Sequence, residues 1–377
     1  MTWLPSRLNG ERDLPMWTAL AVALILVVQP GRTGATILSV LIVLTITLLA
    51  SKGWRIGWIG IIVLLGAGIA LRLGVFDHRA SDVLDVTGDA LRRALLGFNP
   101  WGHGFSSSRP TGAPFPYGPI GLFWYTPAID APRELELFVS CVIMALLAVR
   151  GRPLGLAVYA TAPTLVLTAT DGSNDTSAGL LILIALVLAA KRPWLGAAAL
   201  AIAIAFKPYA AAWAPALLVY GGWSAVAAIG LTSLVVWAPS ALNWGIFNYF
   251  RSLQMAEETH FSTYWSFGVI YEQVFARSAP REALNAMRLV LAATIGITSL
   301  WFIKSMDRVI LSGILVFAIV MFGGYWGSYA YLGAIAPIIC WRLDDWLGIP
   351  APSMIASAPW APKAVGGTSS SEPATGA

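Results

Sequence analysis

Apolar runs dominate this chain, and its polar positions are gathered into a few loops between them. Runs rich in Leu, Ile, Val and Ala occupy about 16–29, 35–50, 56–76, 118–129, 137–149, 153–169, 177–190, 194–206, 209–222, 225–239, 285–303, 309–323 and 328–341. Many fall short of the ~20 residues that a straight span through a bilayer needs. Those must extend into flanking Gly, Trp or Tyr, or enter the bilayer without crossing it. The run 118–129 is the best re-entrant candidate, because it is short and Asp130, Arg133, Glu134 and Glu136 follow directly. The pattern predicts an all-α, polytopic transmembrane helix bundle of roughly 10–13 spans. A polar segment 1–15 precedes it. The bundle covers 16–349, and the tail 350–377, rich in Pro, Ala, Ser, Thr and Gly, is expected to be disordered.

Composition sharpens this reading. Of the 377 residues, 57% are hydrophobic and only 11% charged, with a mean hydropathy of +0.72. A soluble domain carries roughly 25% charged residues, so lipid is the expected solvent for most of the surface. Seventeen Trp residues fit a membrane–water interface. The formal charge of +5 is then a topology signal and not a nucleic-acid footprint. Cys141 and Cys340 sit in apolar runs and are expected to be free. The first apolar run lacks a cleavage pattern and is expected to be retained as a helix.

Short-loop cations set the orientation. With Arg7 and Arg12 inside, Lys52/Arg55, Arg150/Arg152, Lys191/Arg192, Lys304/Arg308 and Arg342 fall inside too, and Arg32 is the exception. Both termini are then cytoplasmic in a multi-pass protein of the cell membrane. Segments 77–117, 240–284 and the turn 170–176 lie outside, together with His78, His103 and His260.

Candidate chemistry concentrates in these outer segments. Ser81 to Leu96 reads as an interfacial helix with Asp82, Asp85 and Asp89 on one face. Arg92 and Arg93 are placed to pair with Asp89, which leaves Asp82 as the acid without a cation. Asp82 is either an N-cap or a general base. Beyond Gly97, the aromatic-rich loop contains Asn99, Trp101, His103 and Tyr117. Its rigid rings suit sugars and lipid headgroups, and equally a structured loop capping the bundle.

The turn Asp171-Gly-Ser-Asn174-Asp175 reads as an Asx-rich turn or as part of a site. Lys207 lies inside an apolar run, where insertion costs about 2.5–3.5 kcal/mol. It either snorkels to the interface or holds a phosphate as a point charge. Pro208 breaks the helix there. Segment 243–280 supplies Arg251, Glu257, Glu258, His260, Tyr264 and Trp265, as an interfacial anchor or as site residues. No phosphate loop, nucleophile elbow or HExxH motif occurs.

At these residues the chain resembles the GT-C superfamily of polyprenyl-phosphate-sugar-dependent glycosyltransferases. Within it the chain is similar to glycosyltransferase family 87, the bacterial α-mannosyltransferase-like group. The resemblance rests on Asp82, on Gly97-Phe98-Asn99-Pro100-Trp101, and on Tyr117-Gly118-Pro119. It extends to Gly172-Ser173-Asn174-Asp175 and to Lys207-Pro208. Members often carry a Tyr where this chain has Val86 or Thr87.

The resemblance implies a GT-C-type bundle that moves a sugar from a polyprenyl-phosphate donor to a glycolipid or envelope glycan on the outer face. The sugar is a hexose, mannose first, or a pentose. Asp82 would be the base, with Asp85 as fallback. Lys207, Tyr209, Arg251, Asn174 and Asp175 would bind the donor. Asn99, Trp101, His103, Tyr117, His260, Tyr264 and Trp265 would contact the acceptor. A divalent cation, Mg or Mn, is compatible with the family, although no ligand set is recognisable. A multi-pass transporter or lipid flippase is the alternative, and a non-catalytic assembly scaffold a third.

Overall fold

The computed structural model describes residues 26–27, 32–51, 54, 56–259 and 265–349. The segment 1–15, the tail 350–377, and His260 and Tyr264 lie outside them. The described residues are helical and contain no strand. In chain order the helices are α1 (Thr33–Ser51), α2 (Trp58–Gly74), α3 (Val83–Leu95), α4 (Pro119–Phe123) and α5 (Pro132–Val149). Next come α6 (Pro153–Thr161), α7 (Pro163–Thr168), α8 (Asp175–Ala189), α9 (Pro193–Phe206) and α10 (Ala214–Trp244). The series ends with α11 (Ile246–Thr259), α12 (Phe267–Phe275), α13 (Arg281–Phe302), α14 (Met306–Phe322) and α15 (Leu332–Leu347). Tight 3₁₀ turns occupy Thr126–Ala128, Pro208–Trp213 and Tyr329–Tyr331.

Proline sets many of the starts. Pro119, Pro132, Pro153, Pro163 and Pro193 each open a helix. The first turn has no use for the missing N–H, and the ring fixes a helical φ. The run 118–129 becomes the short α4 and a 3₁₀ turn, too brief to cross a bilayer.

Three helical stretches among the described residues are long and apolar enough to cross a membrane: Thr33–Ala50, Pro208–Trp244 and Arg281–Phe302. Leu41, Leu234, Val235, Leu289 and Val290 on them are exposed. Apolar side chains turned outward on this scale are consistent with a lipid-facing surface. The Pro208–Trp244 stretch is not straight: Gly222 sits at φ 61°, ψ −154° and breaks α10.

The inner helices are short, and their ends are buried. α6 is buried along its whole length, so its free terminal groups need protein partners. Asp344 on α15 supplies them at the start, accepting from the N–H groups of Leu154 at 3.0 Å and Gly155 at 2.8 Å. Arg72 on α2 supplies them at the end. It donates to the carbonyls of Tyr159 at 2.8 Å and Ala160 at 3.1 Å, and its Nε reaches Ser140 at 2.7 Å. An anion at the N-terminus and a cation at the C-terminus is the arrangement the helix dipole favours. Pro163 makes these partners necessary, because it stops the α6 ladder at Ala162 and restarts it as α7.

Two polar layers result. Arg150, Arg152 and Lys191 in loops, Asp307 at the start of α14 and Arg342 in α15 meet at one end. Residues 80–84, the 171–175 turn and Tyr329 meet at the other. α8 runs between the layers, and its 15 residues span about 22 Å at 1.5 Å per residue. A crossing of α8 and α15 through facing glycines holds the two in register: a Cβ on Gly179 would lie 2.4 Å from the carbonyl oxygen of Gly333.

Arg72→Ala removes both carbonyl partners at the end of α6 in a site 0% exposed. We expect a loss of about 3 kcal/mol, from two to three buried acceptors left unpaired. Arg72→Lys, which cannot fork, should recover less than half of it. Thermal unfolding of the detergent-solubilised protein checks both; a melting temperature unmoved in Arg72→Ala would contradict this account.

Candidate functional site

The polar layer at the 171–175 end is built by three backbone hydrogen bonds. The N–H groups of Ala80 and Ser81 donate to the carbonyl of Asp171 at 3.0 and 2.9 Å, and Leu84 N–H donates to Gly172 at 2.9 Å. Gly172 is required twice over. Its φ is +98°, and a Cβ there would lie 2.4 Å from the carbonyl oxygen of Ser81. The strap joins the start of α3 to the turn before α8, although about ninety residues separate them.

Asp171 holds the turn itself. One carboxylate oxygen accepts from Ser173 N–H at 2.9 Å and the other from the Tyr329 hydroxyl at 2.7 Å. Asn174 follows as the N-cap residue of α8, and Asp175 opens the helix. Asn174 is 0% exposed, and neither its amide oxygen nor its amide nitrogen has a hydrogen-bond partner. Buried amides are rarely left so.

Lys207 lies where α9 stops. Its backbone is extended at φ −139°, ψ 126°, and Pro208 begins the 3₁₀ turn that follows. The side chain is 2% exposed. Its ammonium donates to Asp175 Oδ1 at 2.8 Å, the same oxygen that accepts from the Tyr209 hydroxyl at 2.6 Å. Three rings surround the ammonium: Tyr117 at 4.9 Å, Tyr209 at 5.2 Å and Tyr331 at 5.9 Å. The lysine therefore does not snorkel. It is ion-paired inside a tyrosine cage, where ring faces help offset the lost hydration.

Tyr117 reaches the cage because two glycines let its turn press onto the end of α9. A Cβ on Gly118 would lie 2.3 Å from the Ala205 carbonyl oxygen, and one on Gly121 2.5 Å from that of Phe206. Tyr117 is also the link to Asp82. Burial raises its phenol well above the ordinary value, and the charges of Asp175 and Asp82 raise it further.

Asp82 occupies the N-cap position of α3 but makes no side-chain cap bond. Its carboxylate instead accepts from the backbone N–H of Arg109 in the aromatic loop. No cation pairs with it among the described residues. Asp89 is matched as expected by Arg92 at 3.4 Å, which also reaches Asp130 at 3.2 Å. Arg93 does not join them; it donates to the Asn99 carbonyl at 2.8 Å. Asp85 is exposed and lines a polar cavity of about 380 Å³ with Arg79, Ser81, Arg92, Asp130 and Arg133.

The aromatic loop is mostly bracing. Trp101 is buried, donates to the Tyr117 carbonyl at 2.9 Å, and packs on Trp237, Trp244 and Tyr249 at 6.1, 5.7 and 5.7 Å. Asn99 accepts from Trp101 N–H at 2.9 Å and donates to the Trp244 carbonyl at 3.4 Å. Both tie the loop to α10, which is a different task from contacting an acceptor. His103 leans on Phe105 at 4.7 Å, and burial holds its imidazole below the ordinary value.

Arg251 is exposed on α11 and takes no part in the lysine cage. The carbonyl of Trp265 packs against Gly327. Two contributors are not apparent as site residues in the sequence, Tyr329 and Tyr331. Their signal is a pair of tyrosines two residues apart at the start of an apolar run. A third is Glu136, buried and accepting from the Tyr125 hydroxyl at 2.5 Å and Ser177 N–H at 3.0 Å. An acid at the head of an apolar helix is its signal.

Among the described residues, no three His, Cys, Asp or Glu side chains converge as a metal-ligand set would. Asp175 is engaged by an ammonium and a hydroxyl, and Asp82 by an N–H. Comparison with protein families, characterised proteins and solved structures finds no match to this chain.

The ion pair has a measurable signature. Asp175→Asn or Lys207→Met alone leaves a buried charge unpaired, and each should cost about 3–5 kcal/mol. The double variant Asp175→Asn/Lys207→Met should cost clearly less than the sum, with a coupling of about 1–3 kcal/mol. Additive losses in thermal unfolding would mean that the two groups do not depend on each other.

Proposed function

We propose that this chain is an integral membrane glycosyltransferase of GT-C type, a polytopic bundle working on the extracytoplasmic face of the cell membrane. It moves a hexose, mannose first among them, or a pentose, from a polyprenyl-phosphate donor to a glycolipid or envelope glycan acceptor. One observation carries the reading. The strap from residues 80–84 to the 171–172 turn brings an aspartate without a cation partner among the described residues to the same polar layer as a lysine caged by Tyr117, Tyr209 and Tyr331.

The roles follow from charge and reach. Asp82 takes the proton of an acceptor hydroxyl as that oxygen bonds to the anomeric carbon. The bond from the anomeric carbon to the phosphate oxygen breaks, and its electron pair leaves with the phosphate. That leaving group is an anion and needs no general acid, so one base suffices and the centre inverts. Lys207 has three N–H donors, of which Asp175 takes one; the others serve the donor phosphate. Arg92, on the wall of the outer cavity, is the second cation for it. Asn174 has both amide groups available for sugar hydroxyls.

A second reading, a multi-pass transporter or lipid flippase, is favoured by one feature. Helices are interrupted at Ala162–Pro163 and at Lys207–Pro208, the second beside a buried charge pair, and broken helices of this kind build transport sites. The layer's position at one end of α8, not midway along it, argues for surface chemistry instead.

Membranes containing the protein, supplied with radiolabelled polyprenyl-phosphate mannose, should release polyprenyl phosphate and label an endogenous acceptor. Asp82→Asn should lower that transfer by about 10²- to 10⁴-fold, the usual worth of a general base, with unchanged abundance and melting. Asp85→Asn should retain most of it. Full activity in Asp82→Asn would sink the assignment, and loss confined to Asp85→Asn would move the base to the cavity. Uptake of the lipid by proteoliposomes without transfer would favour the transporter.

A further inference from the structure

At the end of α8 remote from Asp175, a second cavity of about 380 Å³ opens beside α14 and α15. Its walls are of two kinds. Leu186, Val187, Ile310 and Ile338 form an apolar side, and Arg150, Lys191 and Arg342 bring cations, with Asp307 as the one carboxylate beside them. The Nε atoms of Arg150, Arg152 and Arg342 are all buried without an acceptor, but the cations differ in their carboxylate partners. Arg342 is held by Asp307 at 2.7 Å and Asp345 at 3.0 Å. Asp345 also holds Arg152 at 2.5 Å, while Asp344 accepts from the buried N–H groups of Leu154 and Gly155. These three carboxylates are engaged.

Among the described residues, Arg150 has no carboxylate within ion-pair distance. Its guanidinium lies 5.5 Å from the centre of the Trp341 ring, and its Nε is buried without an acceptor. Arg152 and Arg342 add like charge around it, and Asp345 offsets part of that. Lys191 is exposed at the rim and has no partner among the described residues. A buried guanidinium N–H lacking an acceptor, beside an unpaired ammonium, is a receptor for an oxyanion. The apolar wall next to it suits a hydrocarbon chain, which inorganic phosphate does not have.

We propose that this cavity binds the phosphate of an anionic lipid headgroup. Arg150 and Lys191 hold the phosphate oxygens, and an acyl chain runs along Leu186, Val187, Ile310 and Ile338. The geometry matches the way basic pockets between membrane helices take lipid headgroups. The site lies at the opposite end of the bundle from the tyrosine cage and does not depend on the transfer reaction.

The test uses the purified full chain in a neutral detergent, titrated with dioctanoyl phosphatidylglycerol, dioctanoyl phosphatidylcholine or inorganic phosphate and read by native mass spectrometry. Phosphatidylglycerol should bind at least about tenfold more tightly than the other two. Lys191→Glu and Arg150→Gln should each weaken it by about tenfold, the worth of one charge-assisted hydrogen bond. Lys191 is exposed, so its variant tests the site without touching the core. Asp307→Asn, which frees Arg342, should bind as well as the parent or better. Equal affinity for phosphatidylcholine, or unchanged affinity in Lys191→Glu, overturns the proposal. Inorganic phosphate binding as tightly as phosphatidylglycerol overturns the lipid as the source of the phosphate.

Discussion

A lysine ammonium buried among apolar helices has to find a carboxylate, and one polar layer of this protein is organised around that demand. Lys207 ends α9, Asp175 begins α8, and the bond between them fixes where one helix stops relative to the other. Tyr209 shares the same carboxylate oxygen, so the 3₁₀ turn after Pro208 is held as well. Tyr117 and Tyr331 close the remaining sides with ring faces. Four separate segments meet at one charge. An ion pair of this kind adds little net stability over a well-packed apolar pair. It does make wrong arrangements expensive, since any of them strands a charge.

The same rule operates on the backbone. Proline cuts the inner helices into short pieces, and each cut exposes terminal N–H and C=O groups in a place without water. Asp344 and Arg72 answer this at the two ends of α6. Arg133 answers it after α7, donating to the Thr170 carbonyl at 2.9 Å through Nε. Charges that look functional in an apolar chain are therefore divided between two duties. Some complete helix ends, and others remain available at the surface layers. Asp82 belongs to the second group, because its helix begins without using its side chain as a cap.

Much of the aromatic loop serves position and not contact. Trp101 and Asn99 fasten the loop to α10, and the fastening carries Tyr117 onto Lys207 and the Arg109 N–H onto Asp82. Losing an anchor there would disturb both ends of the proposed site together.

The helical character, the breaks at proline, and the grouping of short-loop cations apart from the long polar loops were all legible along the chain. So was the contrast between Asp89, with arginines one turn away, and Asp82, without one. These are properties of neighbours within a few residues, where helix geometry alone decides who can meet. Partners at long range were not legible. Nothing near Lys207 in sequence announces that Asp175, 32 residues away, will neutralise it. Nothing near Tyr329 announces Asp171, 158 residues away. Tertiary structure decided those pairings through close backbone approach at Gly118, Gly172 and Gly179, where a single added carbon would hold the segments apart. Sequence alone determined which residues needed partners, because burial of polar groups is costly wherever it happens. Packing determined which partners they received, because only the folded chain sets the distances over which charge and hydrogen bonding act.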